Sequence, residues 1–255
     1  MTRFATITQI REASGLRMAT LRGVPSPWTE AAKGVFRVKH LDCQYGAQSE
    51  DDPENAILQW MGNSTVPVVA FDAESPRTGW AEILILAERL APEPRLIAVD
   101  PAERVDMFGL AHEICGEMGL GWAYRLLMLK GSMSHGDDGP RFPPPVANRL
   151  AQKYGFNPAH VQQAKQRVCG ILGLLSERIA GRNYLVGEDL SAVDIYWATF
   201  ANLFIPLPDQ EMHAIQMIRD AYTCQDEEIL AAISDELRTH QRRIYDDHLE
   251  LPVPL

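Results

Sequence analysis

Gly23-Val24-Pro25-Ser26-Pro27-Trp28 is the stretch on which the reading of this chain turns. Before it, Leu16 to Leu21 (Leu-Arg-Met-Ala-Thr-Leu) reads as a strand; after it, Thr29 to Leu41 reads as a helix. Pro27 suits the first helical position, where its missing N–H is no loss and its fixed φ is already helical. Ser26 then falls at the N-cap, with its hydroxyl in reach of the helix's orphan N–H groups. The same helix end carries partial positive charge and stabilises an anion placed beside Ser26. Two readings of Ser26 therefore stand, a plain capping serine or a hydroxyl facing a bound anion. Trp28, Ala31, Ala32, Val35, Phe36 and Val38 form an amphipathic stripe along the helix, so strand, turn and helix make one β-α unit.

Bulk properties narrow the classes around this unit. With 255 residues the chain can bury the core of one large or two smaller domains. A formal net charge of −10, with no dense Lys/Arg run to offset it, argues against a nucleic-acid-binding surface. The residues after Met1 lack an apolar secretory core, and no stretch has the length of a membrane span. A cytoplasmic protein with no membrane partner is expected. Cys43, Cys115, Cys169 and Cys224 are scattered, form no C-x-x-C pair and read as reduced thiols. The histidines are equally dispersed and no metal motif occurs, so no metal is expected.

Outward from the β-α unit, Ala5 to Ile10 reads as a short strand or an extension. Gln44 to Glu54 is polar and reads as a surface loop, followed by a short helix over Asn55 to Met61. Val66-Pro67-Val68-Val69-Ala70-Phe71 is a strand that opens on a proline unable to donate to a ladder. Val66–Pro67 is either an edge-strand proline or a cis peptide, which an X-Pro bond reaches at a cost of about 0.5–1 kcal/mol. The cis form would turn the Val66 N–H and C=O outward, towards the end of the strand. Thr78-Gly79 ends a second hairpin strand, and Trp80 to Leu90 is a strongly apolar helix stopped by Pro92 and Pro94.

Ala91 to Pro101 then reads as a linker, and Ala102 to Met133 as a long helical stretch. Gly116, Gly119 and Gly121 loosen that stretch, so a kink or break is expected there. Gly131 to Pro145 reads as a mobile insertion. Further helices are expected over Pro158 to Arg178, Ser191 to Phe204, Gln210 to Tyr222 and Asp226 to Tyr245. Ser191 caps its helix, Asp194 reaches back to the Ser191 N–H, and Leu190 is placed for a hydrophobic staple.

In this order the chain resembles the glutathione S-transferases. The resemblance rests on Ser26-Pro27-Trp28 at a helix start, on Val66-Pro67-Val68-Val69, and on an apolar helix running to a proline-rich linker. A fourth match is Tyr184-Leu185-Val186-Gly187-Glu188-Asp189-Leu190-Ser191-Ala192-Val193-Asp194-Ile195, which in this family enters a core helix. It implies an α/β thioredoxin-like N-terminal domain over 1–90, a linker over 91–101 and an all-α helical bundle C-terminal domain over 102–255. It also implies a homodimer.

The chemistry the resemblance implies is glutathione as cosubstrate, its thiol pKa lowered so that the thiolate attacks a small hydrophobic electrophile. Ser26 stands where some classes carry a cysteine followed by Pro-Phe. A serine hydroxyl can donate to the glutathione sulfur but cannot form a mixed disulfide, so conjugation is favoured over thiol transfer. Thr20, on the strand, is a second and weaker hydroxyl. Trp28, Val66 and Pro67 fall at glutathione-binding positions, Val66 pairing its backbone with the cysteinyl part. At the start of the helix after the hairpin, the family's acidic or amide residue followed by serine is replaced by Thr78-Gly79-Trp80-Ala81-Glu82. There Thr78 offers a hydroxyl. Glu82 is either the partner of the γ-glutamyl ammonium or a first-turn acid favoured by the helix dipole. Met107, Trp122 and Tyr124 are candidates to line the electrophile pocket. Because that pair is missing, a non-catalytic binding or scaffold protein of the same fold stays open. A glutathione-dependent isomerase or reductive-cleavage enzyme stays open beside it.

Overall fold

Ile7–Glu12 (α1) opens the chain as a helix, where alternating sequence had suggested a strand. Thr6 and Gln9 cap it reciprocally, Thr6 N–H to Gln9 Oε1 at 2.9 Å and Gln9 N–H to Thr6 Oγ1 at 3.2 Å. Only Ala5 keeps strand geometry, as a parallel bridge to Gly46. The computed structural model describes residues 4–48, 56–62, 65–133 and 142–255. Its chain contacts divide into two units, one of residues 1–97, 208–214 and 245–255, the other of 98–207 and 215–244.

In the first unit Leu16–Leu21 (β1) is followed by Pro27–Val38 (α2), Cys43–Gln48 (β2), Ala56–Met61 (α3), Val68–Phe71 (β3) and Trp80–Leu90 (α4). β1 lies at the centre of a three-stranded sheet of order β2-β1-β3, parallel to β2 and antiparallel to β3. The polar Cys43 to Gln48 segment is a strand rather than a loop because β1 supplies its hydrogen bonds along the whole length, Leu16 facing Cys43 and Leu21 facing Gln48. The remainder of that expected loop, 49–54, lies outside the described residues. The expected hairpin partner of β3 is reduced to one bridge between Val69 and Arg77, with N–H···O distances of 2.8 and 2.7 Å.

Ile7 and Ile10 of α1 and Ala56 and Ile57 of α3 close over Ala19, Val66 and Val68 in one apolar cluster. Gly46 is required there: a methyl group on it would lie 2.7 Å from the Ile10 side chain. α2 and α4 pack on each other, burying Ala31, Ala32, Val35 and Phe36 on one and Ile83, Leu84, Leu86 and Ala87 on the other. At their C-terminal ends stands Lys39, whose side chain is wholly buried. Its ammonium meets Glu88 Oε1 at 2.7 Å, the Ala91 carbonyl at 2.7 Å and the Pro94 carbonyl at 2.9 Å. All three of its donors are thereby used, and the carbonyls at the end of α4 carry the negative end of the helix dipole. Glu88 also accepts the Leu96 N–H at 2.8 Å, which ties down the segment after α4.

The second unit is helical: Pro101–Cys115 (α5), Leu120–Met133 (α6), Pro144–Lys153 (α7), Pro158–Ile179 (α8), Ala192–Ala201 (α9), Gln216–Tyr222 (α10), Glu227–Ala231 (α11) and the larger part of Asp235–His248 (α12). The break expected near Gly116 is present, with Met118 at φ 59° between α5 and α6. Gly119 cannot be larger, because a methyl group there would lie 2.6 Å from the Glu113 carbonyl. Within the expected insertion 131–145, Gly131 to Met133 end α6 and Pro144 opens α7, a helix the sequence reading did not contain. Residues 134–141 lie outside the described residues. Every residue of α9 is buried, and so is the Asp194 carboxylate at its start. That carboxylate accepts the Ser191 N–H and hydroxyl at 2.8 Å each and the Leu185 N–H at 2.9 Å, and faces His240 Nε2 at 2.9 Å.

Replacing Lys39 by methionine should leave Glu88 and two carbonyls without their partner and destabilise the protein by about 3 kcal/mol or more. Lys39→Met with Glu88→Gln should recover part of that loss. Urea denaturation of the wild type and both variants measures the difference.

Candidate functional site

The site candidates in the first unit gather because of strand register. β1 pairs with β3 from Leu16 opposite Phe71 to Ala19 opposite Val68, so the antiparallel pairing stops two residues before Leu21 on β1 and two residues after Val66. An isolated bridge sets Arg77, two residues before Gly79, opposite Val69. The β1–α2 turn, the Val66–Pro67 bond and the start of α4 therefore all adjoin the same end of this paired segment. Val66–Pro67 is cis. Both residues are buried, and among the described residues neither the Val66 N–H nor its C=O takes a backbone hydrogen bond.

Ser26 is the N-cap of α2, with φ −64° and ψ 123°, and its carbonyl accepts the Glu30 N–H at 2.9 Å. Its side chain makes no capping hydrogen bond, contrary to the plain capping reading. Pro27 at the first helical position has no N–H to offer, and the half-buried Ser26 hydroxyl is not spent on the helix it begins. Trp28, in the same turn, is half-buried. Thr20 is buried on β1, and its hydroxyl has only a long contact, 3.5 Å, to the Leu21 carbonyl.

α4 begins on Gly79, which has no side chain to cap with, flanked by the half-buried Thr78 and Trp80. Glu82 is exposed and folds back over this end: a methyl group on Gly79 would lie 1.8 Å from Glu82 Oε2. Glycine is thus what admits the carboxylate to the positive end of the helix. The first unit thus presents a serine hydroxyl at the N-terminus of α2 and a glutamate carboxylate at the N-terminus of α4. That set can accommodate an anion and an ammonium group together.

One charged group nearby escaped sequence reasoning. Glu30 stands in the first turn of α2, where an acid reads as a surface residue favoured by the dipole, yet it is 6 % exposed. One of its oxygens meets Lys33 at 2.6 Å, and the other has no partner among the described residues. Burial raises its pKa above the ordinary carboxylate value, and Lys33 opposes this only in part. Lys33 also donates to the Pro254 carbonyl at 2.5 Å, so the burial of this pair depends on a segment far along the chain. The Thr29 hydroxyl beside it is likewise buried without a partner among the described residues.

The remaining candidates belong to the second unit. Met107 is fully buried on α5, in line with Leu110, Ala111 and Ile114. Tyr124 is buried against Phe204, ring centres 4.2 Å apart. Trp122 is half-buried, edge-on to Tyr154 at 5.0 Å, and its indole N–H donates to the Tyr154 carbonyl at 3.1 Å. Among the described residues no group of three or more His, Cys, Asp or Glu could hold a metal ion. No helix there is long and apolar enough to cross a membrane.

No family model matches the chain, and no curated protein matches it. Solved structures do. A glutathione transferase family member from Pseudomonas fluorescens, with two glutathione bound, aligns with a TM-score of 0.62 at 14 % identity over 94 % of this chain and 93 % of that one. A glutathione S-transferase from Methylobacterium radiotolerans, in complex with glutathione sulfonate, gives 0.58 at 14 % identity over 92 % and 95 %. A monomeric glutathione S-transferase from the hookworm Necator americanus gives 0.53 at 14 % identity over 91 % and 92 %. The fold is that of the glutathione transferases, a thioredoxin-like α/β part with a helical remainder.

A carboxylate with a raised folded-state pKa contributes stability below its unfolded value and loses it as pH rises through the folded value. Glu30→Gln should therefore raise the Tm relative to wild type at neutral pH. The gap should narrow as pH falls to the ordinary carboxylate range. Thermal unfolding from pH 4 to pH 8 tests this, and a gap that widens on acidification would contradict it.

Proposed function

We propose that this protein is a glutathione transferase in which the Ser26 hydroxyl and the N-terminus of α2 stabilise the thiolate of bound glutathione. The observation that carries the reading is the Ser26 hydroxyl itself, placed at the N-terminus of α2 and not spent on capping it. The glutathione and glutathione sulfonate bound to the Pseudomonas fluorescens and Methylobacterium radiotolerans proteins support the choice of ligand.

In this reading the cysteinyl part of glutathione pairs with the Val66 backbone, beside Pro67 and Trp28. The γ-glutamyl ammonium goes to Glu82, with Thr78 supplying a hydroxyl. The sulfur then lies at Ser26, where a donated hydrogen bond and the helix dipole favour thiolate over thiol. The thiol proton leaves to solvent. The sulfur lone pair forms a bond to an electrophilic carbon of a small hydrophobic acceptor, and the carbon's leaving group, the halide of an aryl halide, departs to solvent with the pair of the broken bond. Serine cannot form a mixed disulfide with glutathione, so conjugation is the expected outcome. Met107, Trp122 and Tyr124 are assigned to the acceptor's apolar wall, and of these Trp122 keeps its ring partly accessible. A cytoplasmic homodimer completes the proposal; since the hookworm protein of this fold is monomeric, sedimentation tests the assembly separately.

One observation favours a second reading, a non-catalytic glutathione-binding or scaffold protein: Thr78-Gly79-Trp80-Ala81-Glu82 contains no acid–serine pair where the resemblance leads one to expect it. Calorimetric titration with glutathione, followed by turnover with an aryl halide, separates the two. Wild type should bind with a Kd in roughly the micromolar-to-millimolar range. Ser26→Ala should keep that affinity, lose the ultraviolet absorbance of the bound thiolate, and slow turnover by about 10²–10³-fold, as loss of one preorganised donor does elsewhere. Binding without turnover in wild type selects the second reading; no binding at all sinks the transferase.

A further inference from the structure

Arg125 on α6 carries a charge that no carboxylate balances among the described residues of the second unit. It is 7 % exposed, and its partners are uncharged. Nη2 donates to the Tyr222 hydroxyl at 2.7 Å, Nη1 reaches the Met128 sulfur at 3.6 Å, and the guanidinium lies 5.0 Å from the Tyr222 ring centre. Tyr154 bonds it from α7, and burial pushes that phenol up, so it bears no negative charge near neutral pH. The Nε–H has no acceptor among the described residues. A guanidinium has five donors and cannot give up its proton, so burial without a counter-charge is costly.

Among the described residues no carboxylate acts on Arg125 as a counter-charge. Neither α6 nor α7 contains an Asp or Glu. On α10 the acid is Asp220, exposed and taken by Gln216 at 2.6 Å. Asp226, just beyond α10, is taken by Lys165 at 2.9 Å. What does surround Arg125 is more positive charge. Lys153 stands 5.7 Å from the Tyr154 ring centre, and partial desolvation of its ammonium there, with the charges of Arg125 and Arg149, shifts its pKa downward although much of the side chain stays exposed. Arg149 and Lys153 are exposed, so the positive potential runs from solvent inward to Arg125.

We propose that Arg125 anchors an anion site in the second unit that takes a small organic carboxylate, held by the guanidinium between Tyr154 and Tyr222, with Arg149 and Lys153 drawing it in. A single buried cation calls for a single negative charge, and the two phenol rings give a flat apolar body something to pack on. The inference does not depend on Ser26 or on glutathione.

Benzoate is a suitable probe, with benzamide as its neutral counterpart and sulfate as an inorganic anion, all at matched ionic strength. Benzoate should raise the Tm of the wild-type protein saturably; benzamide and sulfate should not. Arg125→Met should weaken benzoate at least about tenfold, as loss of a charged hydrogen-bond partner does. In the wild type, nuclear magnetic resonance titration of isotopically methylated Lys153 should show its pKa rising when benzoate is bound, since the anion offsets the neighbouring cations. That measurement decides the matter alone if Arg125→Met does not fold. No saturable benzoate effect, an equal effect of benzamide or sulfate, undiminished binding by a folded Arg125→Met, or an unmoved Lys153 each overturns the proposal.

Discussion

Antiparallel pairing of β1 with β3 is the constraint from which the first unit's geometry follows. Side chains alternate across a sheet with a period of two, so a slip of one residue would turn Ala19, Val66 and Val68 away from α1 and α3 and expose the cluster they fill. Burial therefore holds the register, and the register in turn sets Val68 opposite Ala19 and Val69 between Met18 and Arg77. A site at this end of the pairing needs no loop of its own. It is assembled from the ends of elements whose positions the core has already set.

The helices that start beside this end of the pairing are secured from their opposite ends. Lys39 draws the last turn of α2 and the last turn of α4 to one ammonium group, and Glu88 extends the tie to Leu96. An ion pair this deep is retained only when every donor is met, and here each is. With the C-terminal ends pinned, the packed pair of α2 and α4 carries its N-terminal ends at Ser26 and Gly79. The capping hydroxyl of Ser26 can then be diverted from its helix, because α2 does not rely on that bond for its stability: it is held by packing on α4 and by Lys39.

Buried charge in the second unit takes two contrasting forms. Asp194 is met by two backbone N–H groups, a hydroxyl and a histidine, and serves to fix the start of the wholly buried α9. Arg125 is met by phenols and a thioether, with one donor left over. The first is what a structural charge looks like when all its lone pairs are used. The second has the opposite character, and it is this imbalance rather than burial alone that marks Arg125 out.

Much of this was legible in the chain, where the determining information is local. The start of α2 at Pro27, the bounds of α4 from Trp80 to Leu90, the Ser191–Asp194 contact and the break after Cys115 all depend on residues within about one helical turn of each other. The order of these elements was enough to indicate a thioredoxin-like part followed by helices. What local sequence could not carry was any property set by a distant partner. β2 is polar and becomes a strand because β1, more than twenty residues earlier, offers its backbone groups. Glu30 reads as a surface acid and is buried with Lys33, which bonds the Pro254 carbonyl; Arg125 reads as a surface cation and is enclosed by Tyr154 and Tyr222. The helix starts at Pro27 and Trp80, the Ser191–Asp194 contact and the break after Cys115 are short-range and were written in the sequence. Burial, and with it the charge state and reactivity of a side chain, is decided only when remote segments fold together and exclude water.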